Sequence, residues 1–167
     1  MNVVLTGFMG TGKSAVGKIL AKKLGWQYFD IDQIIEDEVG IKISEIFAKK
    51  GEPYFREVES SAVKLLAMLD DVVISCGGGV VLKSENMDEL EKKGVIVCLT
   101  ASVDKILQRT KGESRPLLNV KNPAEKVREM LKKREPYYKR CRLMIDTTEY
   151  SAEDVAEQII MSKLIGW

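Results

Sequence analysis

Residues 7–14, GFMGTGKS, fit the pattern GxxxxGK followed by Ser or Thr in full. Glycines at these spacings let the backbone curl so that successive N–H groups point inward, and a helix that begins directly after them adds the positive end of its dipole. Such a phosphate-binding loop (P-loop) holds a nucleotide. Lys13 would reach the β- and γ-phosphates, and the hydroxyl of Ser14 would be a ligand of Mg²⁺.

The sequence on either side of the P-loop favours phosphate binding. Residues 2–6 are typical of a β-strand, and the residues after the loop place apolar side chains on one face of a helix. A glycine-rich turn that binds nothing is the alternative. Because the same loop serves molecular switches, motors and small-molecule kinases, the phosphoryl acceptor has to be identified from the rest of the chain.

Two carboxylates, Asp30 and Asp32, follow the second predicted strand in the sequence FDID. They are expected at the edge of the sheet where the phosphates bind, and both lie on one side if the chain stays extended. One could then face a metal ion and the other an acceptor. The alternative is that one of them only caps a helix over residues 33–39. Asp146, at the end of the last strand, is a competing metal ligand.

Three arginines occur where neither a core nor a plain surface requires them. Arg56 is at a predicted helix start, Arg115 is in a polar loop and Arg134 is near a helix C-terminus. A guanidinium can bind a carboxylate or phosphate through two hydrogen bonds, so these residues indicate recognition of a small acid; surface salt bridges are the alternative. Gly77–Gly79, at a strand end, would let a ligand approach the backbone, or would form only a tight turn.

Length and composition restrict the classes of protein to which the chain can belong. The 167 residues, 45% of them hydrophobic, fit one domain. A net charge of +1 predicts neither nucleic-acid nor membrane binding, and no apolar run or signal peptide is evident, so we expect a cytoplasmic protein. The chain has no histidine, which favours a carboxylate as general base.

The three cysteines, Cys76, Cys98 and Cys141, are far apart in the sequence. Their spacing does not fit a zinc site. We expect buried, inert thiols in a reducing compartment, with a redox role as the alternative.

The elements that must position these residues alternate between strands and helices. Strands are predicted at residues 2–6, 27–29, 72–75, 95–99 and 143–145. Helix starts are predicted at Asn122 and at Ser151. Apolar strands that alternate with helices favour a parallel sheet covered on both faces, with ligands at its carboxyl edge. A helical insertion over about 31–69 and a polar loop over about 110–119 interrupt the alternation.

The ordered motifs GFMGTGKS, FDID, FREVE, SCGGGVV, SRPLL and KREPYY resemble the shikimate kinase family over essentially the whole chain. The resemblance implies one α/β domain over residues 1–167, a three-layer α/β/α P-loop kinase fold with a five-stranded parallel sheet in the order 2-3-1-4-5. The substrate-binding insertion would cover about 31–69 and the lid about 110–119. The implied activity is ATP-dependent phosphorylation of the 3-hydroxyl of shikimate, in chorismate and aromatic amino acid biosynthesis.

The resemblance also implies partners and site residues. ATP and shikimate would be the substrates and Mg²⁺ the cofactor, and a monomer is expected. The implied ATP-binding residues are Gly10, Thr11, Gly12, Lys13, Ser14, Ala15, Arg109 and Arg115. The implied shikimate-binding residues are Asp32, Arg56, Gly78 and Arg134, the metal ligands are Ser14 and Asp30, and the catalytic residues are Lys13, Asp32 and Arg115.

Several of these residues have more specific implied roles. Asp32 would be the base for the 3-hydroxyl, and Arg115 would close over the transferring phosphoryl group. Arg109 would pack on the adenine, and Glu59 would orient Arg56 toward the carboxylate of shikimate. The alternatives are a gluconate or nucleoside monophosphate kinase and, from another class, a nucleotide-dependent regulatory module. The chain lacks the NKxD motif with which switch GTPases read guanine.

Overall fold

The computed structural model describes residues 1–113 and 116–166, without the side chain of Pro116. Within these ranges, five strands form one parallel sheet in the order β2-β3-β1-β4-β5, which confirms the predicted order. The strands are β1 (Asn2–Thr6), β2 (Gln27–Asp30), β3 (Val72–Ser75), β4 (Gly94–Thr100) and β5 (Leu143–Asp146). In register, β1 pairs with β3 on one side and with β4 on the other, so the P-loop leaves the centre of the sheet.

Helices cover both faces of this sheet. They are α1 (Lys13–Leu24), α2 (Ile31–Val39), α3 (Ile43–Ala67), α4 (Ser84–Glu91), α5 (Val103–Thr110), α6 (Pro123–Tyr138) and α7 (Ala152–Met161). Short 3₁₀ turns occupy Val80–Leu82 and Pro116–Leu118. No helix in the described part of the chain is both long and apolar enough to cross a membrane.

The strands are apolar because helices cover both faces of the sheet. Both β1 and β3 are buried along their whole length. Because successive side chains of a strand point to opposite faces, Val3 and Leu5 belong to the core cluster that includes α1 and α7, whereas Val4 belongs to the cluster that includes α3, α4 and α6. The predicted alternation of strands and helices is therefore confirmed as a sheet between two helical layers.

Two of the helices begin at the capping residues that the sequence predicted. The side chain of Asn122 accepts a hydrogen bond from the backbone N–H of Glu125, with a proline in the first turn of α6. Ser151 and Asp154 form a reciprocal capping box at the start of α7. These caps satisfy N–H groups that have no partner within the helix.

The segment between β2 and β3 consists of α2 and α3. Gly51, with φ 82° and ψ 167°, interrupts α3, and this left-handed conformation suits a residue without a Cβ. A new helical stretch therefore begins shortly before Arg56, as predicted. The division of the chain into a core, an insertion and a lid stays a prediction, and the expected lid contains Arg115, which lies outside the described residues.

Candidate active site

A cavity of about 910 Å³ opens at the carboxyl ends of the strands. Its lining combines the P-loop with the residues that follow β2 and β3. The predicted site residues among them are Gly10, Gly12, Lys13, Ser14, Ala15, Asp30, Asp32, Gly78 and Arg109. In the described part of the chain, the lining does not include Thr11, Arg56 or Arg134. One cavity is thus lined by most of the residues predicted for the nucleotide and by two of the four predicted for the acceptor, Asp32 and Gly78.

The P-loop is held in a curled conformation by its own hydrogen bonds. The ammonium group of Lys13 donates to the carbonyls of Gly7 and Phe8, at 2.8 and 2.9 Å. The hydroxyl of Thr11, which is buried, donates to the carbonyl of Phe8 at 2.7 Å. Gly12, with φ 94°, precedes α1, and no side chain in residues 1–113 or 116–166 caps this helix. The first N–H groups of α1 can therefore bind an anion.

Asp30 uses its two carboxylate oxygens for different purposes. One oxygen, Oδ1, accepts hydrogen bonds from the backbone N–H groups of Asp32 and Gln33, at 3.0 and 3.4 Å. The other, Oδ2, accepts from the hydroxyl of Ser14 at 2.9 Å. The capping interpretation and the metal-site interpretation of Asp30 are therefore compatible, because each needs only one oxygen.

The chain does not stay extended from Asp30 to Asp32, so the condition for placing both carboxylates on one side is not met. Since the side chain of Asp30 caps the backbone that follows it, α2 begins at Ile31 and not at residue 33. Asp32 consequently lies in the first turn of α2 and reaches a different neighbour, the backbone at Gly77.

Ser14 and Asp30 suit the coordination chemistry of Mg²⁺. Mg²⁺ takes oxygen ligands and is commonly bound by one or two carboxylates together with waters and substrate phosphates. The Ser14 hydroxyl and Asp30 Oδ2 are such oxygens, and both residues line the cavity beside the P-loop. Among the described residues, no group of three or more Asp, Glu, Cys or His side chains forms a metal cage by itself. This donor set fits an ion that arrives with a nucleotide.

The competing candidate, Asp146, is engaged elsewhere. Its carboxylate accepts from the backbone N–H and the hydroxyl of Thr148, at 2.9 and 2.5 Å. These hydrogen bonds lower the pKa of Asp146. It is not part of the lining of the cavity as the described residues define it.

The three glycines after β3, Gly77–Gly79, form a turn against which three predicted shikimate-binding side chains pack. A Cβ at Gly77 would lie 2.7 Å from Oδ1 of Asp32, and one at Gly78 would lie 3.3 Å from Nη1 of Arg134. At Gly79, a Cβ would lie 2.5 Å from both terminal nitrogens of Arg56. The absence of side chains on this tri-glycine turn therefore lets one carboxylate and two guanidinium groups converge on it.

Arg56 is held by two carboxylates of its own helix. Its Nη1 donates to Glu59 at 2.8 Å and its Nη2 to Glu52 at 3.3 Å. Burial would lower the pKa of Arg56, but Glu59 and Glu52 outweigh it and raise the pKa. Burial raises the pKa of Glu59, which is only 1% exposed; Arg56 opposes this shift and the nearby charge of Asp32 adds to it.

Arg134 lies between the tri-glycine turn and the P-loop. The central carbon of its guanidinium is 5.7 Å from the centre of the Phe8 ring, a cation–π distance. Phe8 belongs to the P-loop and is buried. A side chain from α6 is thus packed against the phosphate-binding segment.

Arg109 joins the P-loop to the segment that follows β5. Its guanidinium donates to the carbonyl of Gly10 at 3.2 Å, and to the hydroxyl and carbonyl of Thr147 at 2.9 and 2.8 Å. The Thr147 hydroxyl in turn donates to the carbonyl of Thr11 at 2.9 Å. Arg109 lines the cavity, which is where a base packed on it would lie.

Burial of the cysteines is confirmed for two of the three. Cys76 and Cys98 are buried, and burial raises the pKa of both thiols, that of Cys98 to about 11. Cys141 is only half-buried, contrary to expectation, although burial raises its pKa as well. Thiols with raised pKa values are protonated at neutral pH and react slowly.

Sequence reasoning missed two tyrosines that bear on the site. The hydroxyl of Tyr28 donates to Oδ2 of Asp30 at 3.2 Å. Their spacing of two in a strand, which puts both on one face, is the signal that could have found this contact. The hydroxyl of Tyr138 donates to the carbonyl of Gly78 at 2.7 Å across 60 residues of sequence, and no local pattern signals that bond.

Comparison with known proteins gives matches to one family over nearly the whole chain. Residues 9–163 match the family described as shikimate kinase. The shikimate kinase of Thermodesulfovibrio yellowstonii is 51% identical over 160 residues, which cover 95% of this chain and 92% of the relative. The shikimate kinase from Acinetobacter baumannii in complex with shikimate has a TM-score of 0.93 at 38% identity, covering 98% of this chain and 92% of that one. The shikimate kinase from Aquifex aeolicus has a TM-score of 0.85 at 32% identity, covering 97% and 95%.

The match thus extends over nearly the whole length of both this chain and its relatives, and the sheet order and helical layers are those of an α/β P-loop kinase. The chain belongs to the shikimate kinase family.

Proposed function

We propose that this chain transfers the γ-phosphoryl group of ATP to the 3-hydroxyl of shikimate. The observation that carries the proposal is the convergence of Asp32, Arg56 and Arg134 on the tri-glycine turn, next to a P-loop. A relative that is 38% identical was solved in complex with shikimate. A hydroxylated ring acid needs both a carboxylate for its hydroxyls and guanidinium groups for its own carboxylate.

In this reaction, Asp32 accepts the proton of the 3-hydroxyl while the oxygen of that hydroxyl forms its bond to the γ-phosphorus and the bond to ADP breaks. Lys13 leaves its loop carbonyls to bind the β- and γ-phosphate oxygens, where it stabilises the negative charge of the transition state. Arg56 and Arg134 fix the acceptor by its carboxylate, so that proximity supplies part of the rate. Gly78 contributes backbone contacts to a hydroxyl.

The nucleotide would be held by the P-loop residues Gly10 to Ala15, with Arg109 against the adenine. Ser14 and Asp30 would hold Mg²⁺, which neutralises phosphate charge when bound. Arg115, outside the described residues, stays a proposed catalytic residue on a lid that excludes water. That the chain is a monomer, works in the cytoplasm and binds neither nucleic acid nor membrane stays a prediction.

Comparison of acceptors tests this function directly. ADP release, followed in a coupled assay with MgATP, should be at least about a hundredfold faster with shikimate than with gluconate or AMP, because neither provides a ring carboxylate at the position of the two arginines. Equal rates with gluconate or AMP would favour another small-molecule kinase. ATP consumption that no acceptor changes would favour a regulatory module.

A Cβ at Gly79 should weaken acceptor binding specifically. In Gly79→Ala the added carbon would lie 2.5 Å from both terminal nitrogens of Arg56, which Glu59 and Glu52 hold in place. The guanidinium must move, so we expect the KM for shikimate to rise about tenfold or more while the KM for MgATP stays within about twofold.

The matched control is Gly25→Ala, at the C-cap of α1. Gly25 has φ 70°, and a Cβ there would meet no described atom within 4 Å, so alanine strains the backbone without touching the cavity. It should lower the free energy of unfolding by about 1 kcal/mol and leave both KM values unchanged. A Gly79→Ala enzyme with the wild-type KM for shikimate would contradict the placement of Arg56 in the acceptor site.

A further inference from the structure

Tyr138 is the last residue of α6 and is buried beside the tri-glycine turn. Only 5% of its surface is exposed, and its hydroxyl donates to the carbonyl of Gly78 at 2.7 Å. This bond joins the end of α6 to the tri-glycine turn, two segments that are 60 residues apart in sequence. A buried hydroxyl that donates a short hydrogen bond to a carbonyl restricts the movement of that peptide.

The same hydroxyl lies beside Arg134. The two residues are four apart on α6, so their side chains project from the same face of the helix. Both reach one point: a Cβ at Gly78 would lie 3.3 Å from Nη1 of Arg134 and 3.6 Å from the hydroxyl of Tyr138. Burial raises the pKa of Tyr138 to about 12, and the neighbouring Arg134 opposes that shift. The hydroxyl is therefore protonated, and it can donate to Gly78 while its lone pairs face the guanidinium.

Arg134 also lies over the ring of Phe8, with its guanidinium carbon 5.7 Å from the ring centre. Gly78, the Tyr138 hydroxyl and the Phe8 ring thus lie around a half-buried guanidinium whose side chain would otherwise sample many rotamers. Holding it in one orientation before a ligand arrives removes an entropy cost from binding. A change at Tyr138 would release the turn and the guanidinium together.

We propose that Tyr138 is a positioning residue for the acceptor: it fixes the Gly78 peptide and the Arg134 guanidinium relative to each other, so that both meet the acid in one geometry. The proposal rests on the proposed function. It assigns Tyr138 no contact with the reacting atoms. Its effect should therefore appear in acceptor binding and not in the use of nucleotide.

The test is Tyr138→Phe, with Tyr137→Phe as the matched control. Tyr137 is the adjacent residue of the same helix and is 46% exposed. Phenylalanine keeps the ring of residue 138 in the core and removes only the hydroxyl. We expect the Kd for shikimate, measured by calorimetric titration, and the KM for shikimate to rise about five- to tenfold. The KM for MgATP should stay within about twofold, and Tyr137→Phe should match the wild type.

A double-mutant cycle separates positioning from general support of the fold. If Tyr138 acts through Arg134, Tyr138→Phe should weaken shikimate binding less in an Arg134→Ala background than in the wild type. Equal effects in both backgrounds, or parallel losses for shikimate and MgATP, would overturn the proposal. So would a Tyr138→Phe enzyme that binds shikimate like the wild type while the wild type itself phosphorylates shikimate. A wild type that does not phosphorylate shikimate would overturn the proposed function and this proposal with it.

Discussion

Replacement of Asp32 by asparagine should lower kcat for shikimate phosphorylation by about 10²- to 10⁴-fold, the usual contribution of a general base. Asparagine has nearly the same shape, so it keeps the contact with the tri-glycine turn, where Asp32 Oδ1 would lie 2.7 Å from a Cβ at Gly77. It cannot take the proton of the 3-hydroxyl. Steady-state kinetics should therefore show a large fall in kcat, while calorimetry shows shikimate affinity within a few-fold of the wild type.

Asp37→Asn is the matched control for this experiment. Asp37 is on the same helix, α2, but is exposed, and its carboxylate accepts from the side chain of Gln33. Its replacement also removes one negative charge from α2 and should leave kcat unchanged. If Asp32→Asn kept a kcat within about threefold of the wild type, Asp32 would not be the base, and stabilisation by charged groups alone would account for the rate.

Arg56→Ala should damage both acceptor binding and stability. The guanidinium is a proposed ligand of the shikimate carboxylate, and loss of one partner of a charged hydrogen-bonded pair costs about 2 kcal/mol or more, which corresponds to about a thirtyfold rise in the Kd for shikimate. The same change leaves Glu59, 1% exposed, without the group that binds it at 2.8 Å. We expect the free energy of unfolding to fall by about 2–3 kcal/mol, the lower end for a broken buried pair because Arg56 is partly exposed.

The double variant Arg56→Ala/Glu59→Gln separates the two effects. With the buried charge removed, urea denaturation should show most of the stability restored, whereas shikimate affinity should stay low. Burial raises the pKa of Glu59, so the folded state holds this proton more tightly than the unfolded chain does. The stability lost in Arg56→Ala should consequently shrink as the pH falls toward the ordinary range of a glutamate and grow as the pH rises. Recovery of shikimate binding in the double variant would show that Arg56 only neutralises Glu59.

Short-range patterns in the sequence predicted the strands and the P-loop, whereas the order of the strands was implied only by the resemblance to the shikimate kinase family. Apolar runs mark β1 and β3, and glycine spacing marks the loop at residues 7–14. The start of α2 was predicted two residues late, since the choice between an extended chain and a helix depended on whether the side chain of Asp30 bound the backbone that follows it. A pattern of residue types does not contain that choice.

The contacts of the acceptor side were predictable only in part. A tri-glycine sequence indicates close approach, but not that Asp32, Arg56 and Arg134 would make it. Tyr138 was missed because its role depends on a bond to a peptide in another element. Such bonds arise from tertiary packing, and residue type alone would have suggested an ordinary core tyrosine.

The two carboxylate oxygens of Asp30 have different partners, and this affects how mutations of Asp30 must be interpreted. One oxygen caps the helix that carries Asp32, and the other accepts a hydrogen bond from Ser14, the last residue of the P-loop. An alanine at residue 30 would therefore fray the helix and remove a proposed cation ligand at once, so an inactive enzyme would reveal neither cause. Asparagine caps helices as well as aspartate does but carries no charge. Comparing the two substitutions would separate displacement of Asp32, the proposed base, from loss of the proposed ion.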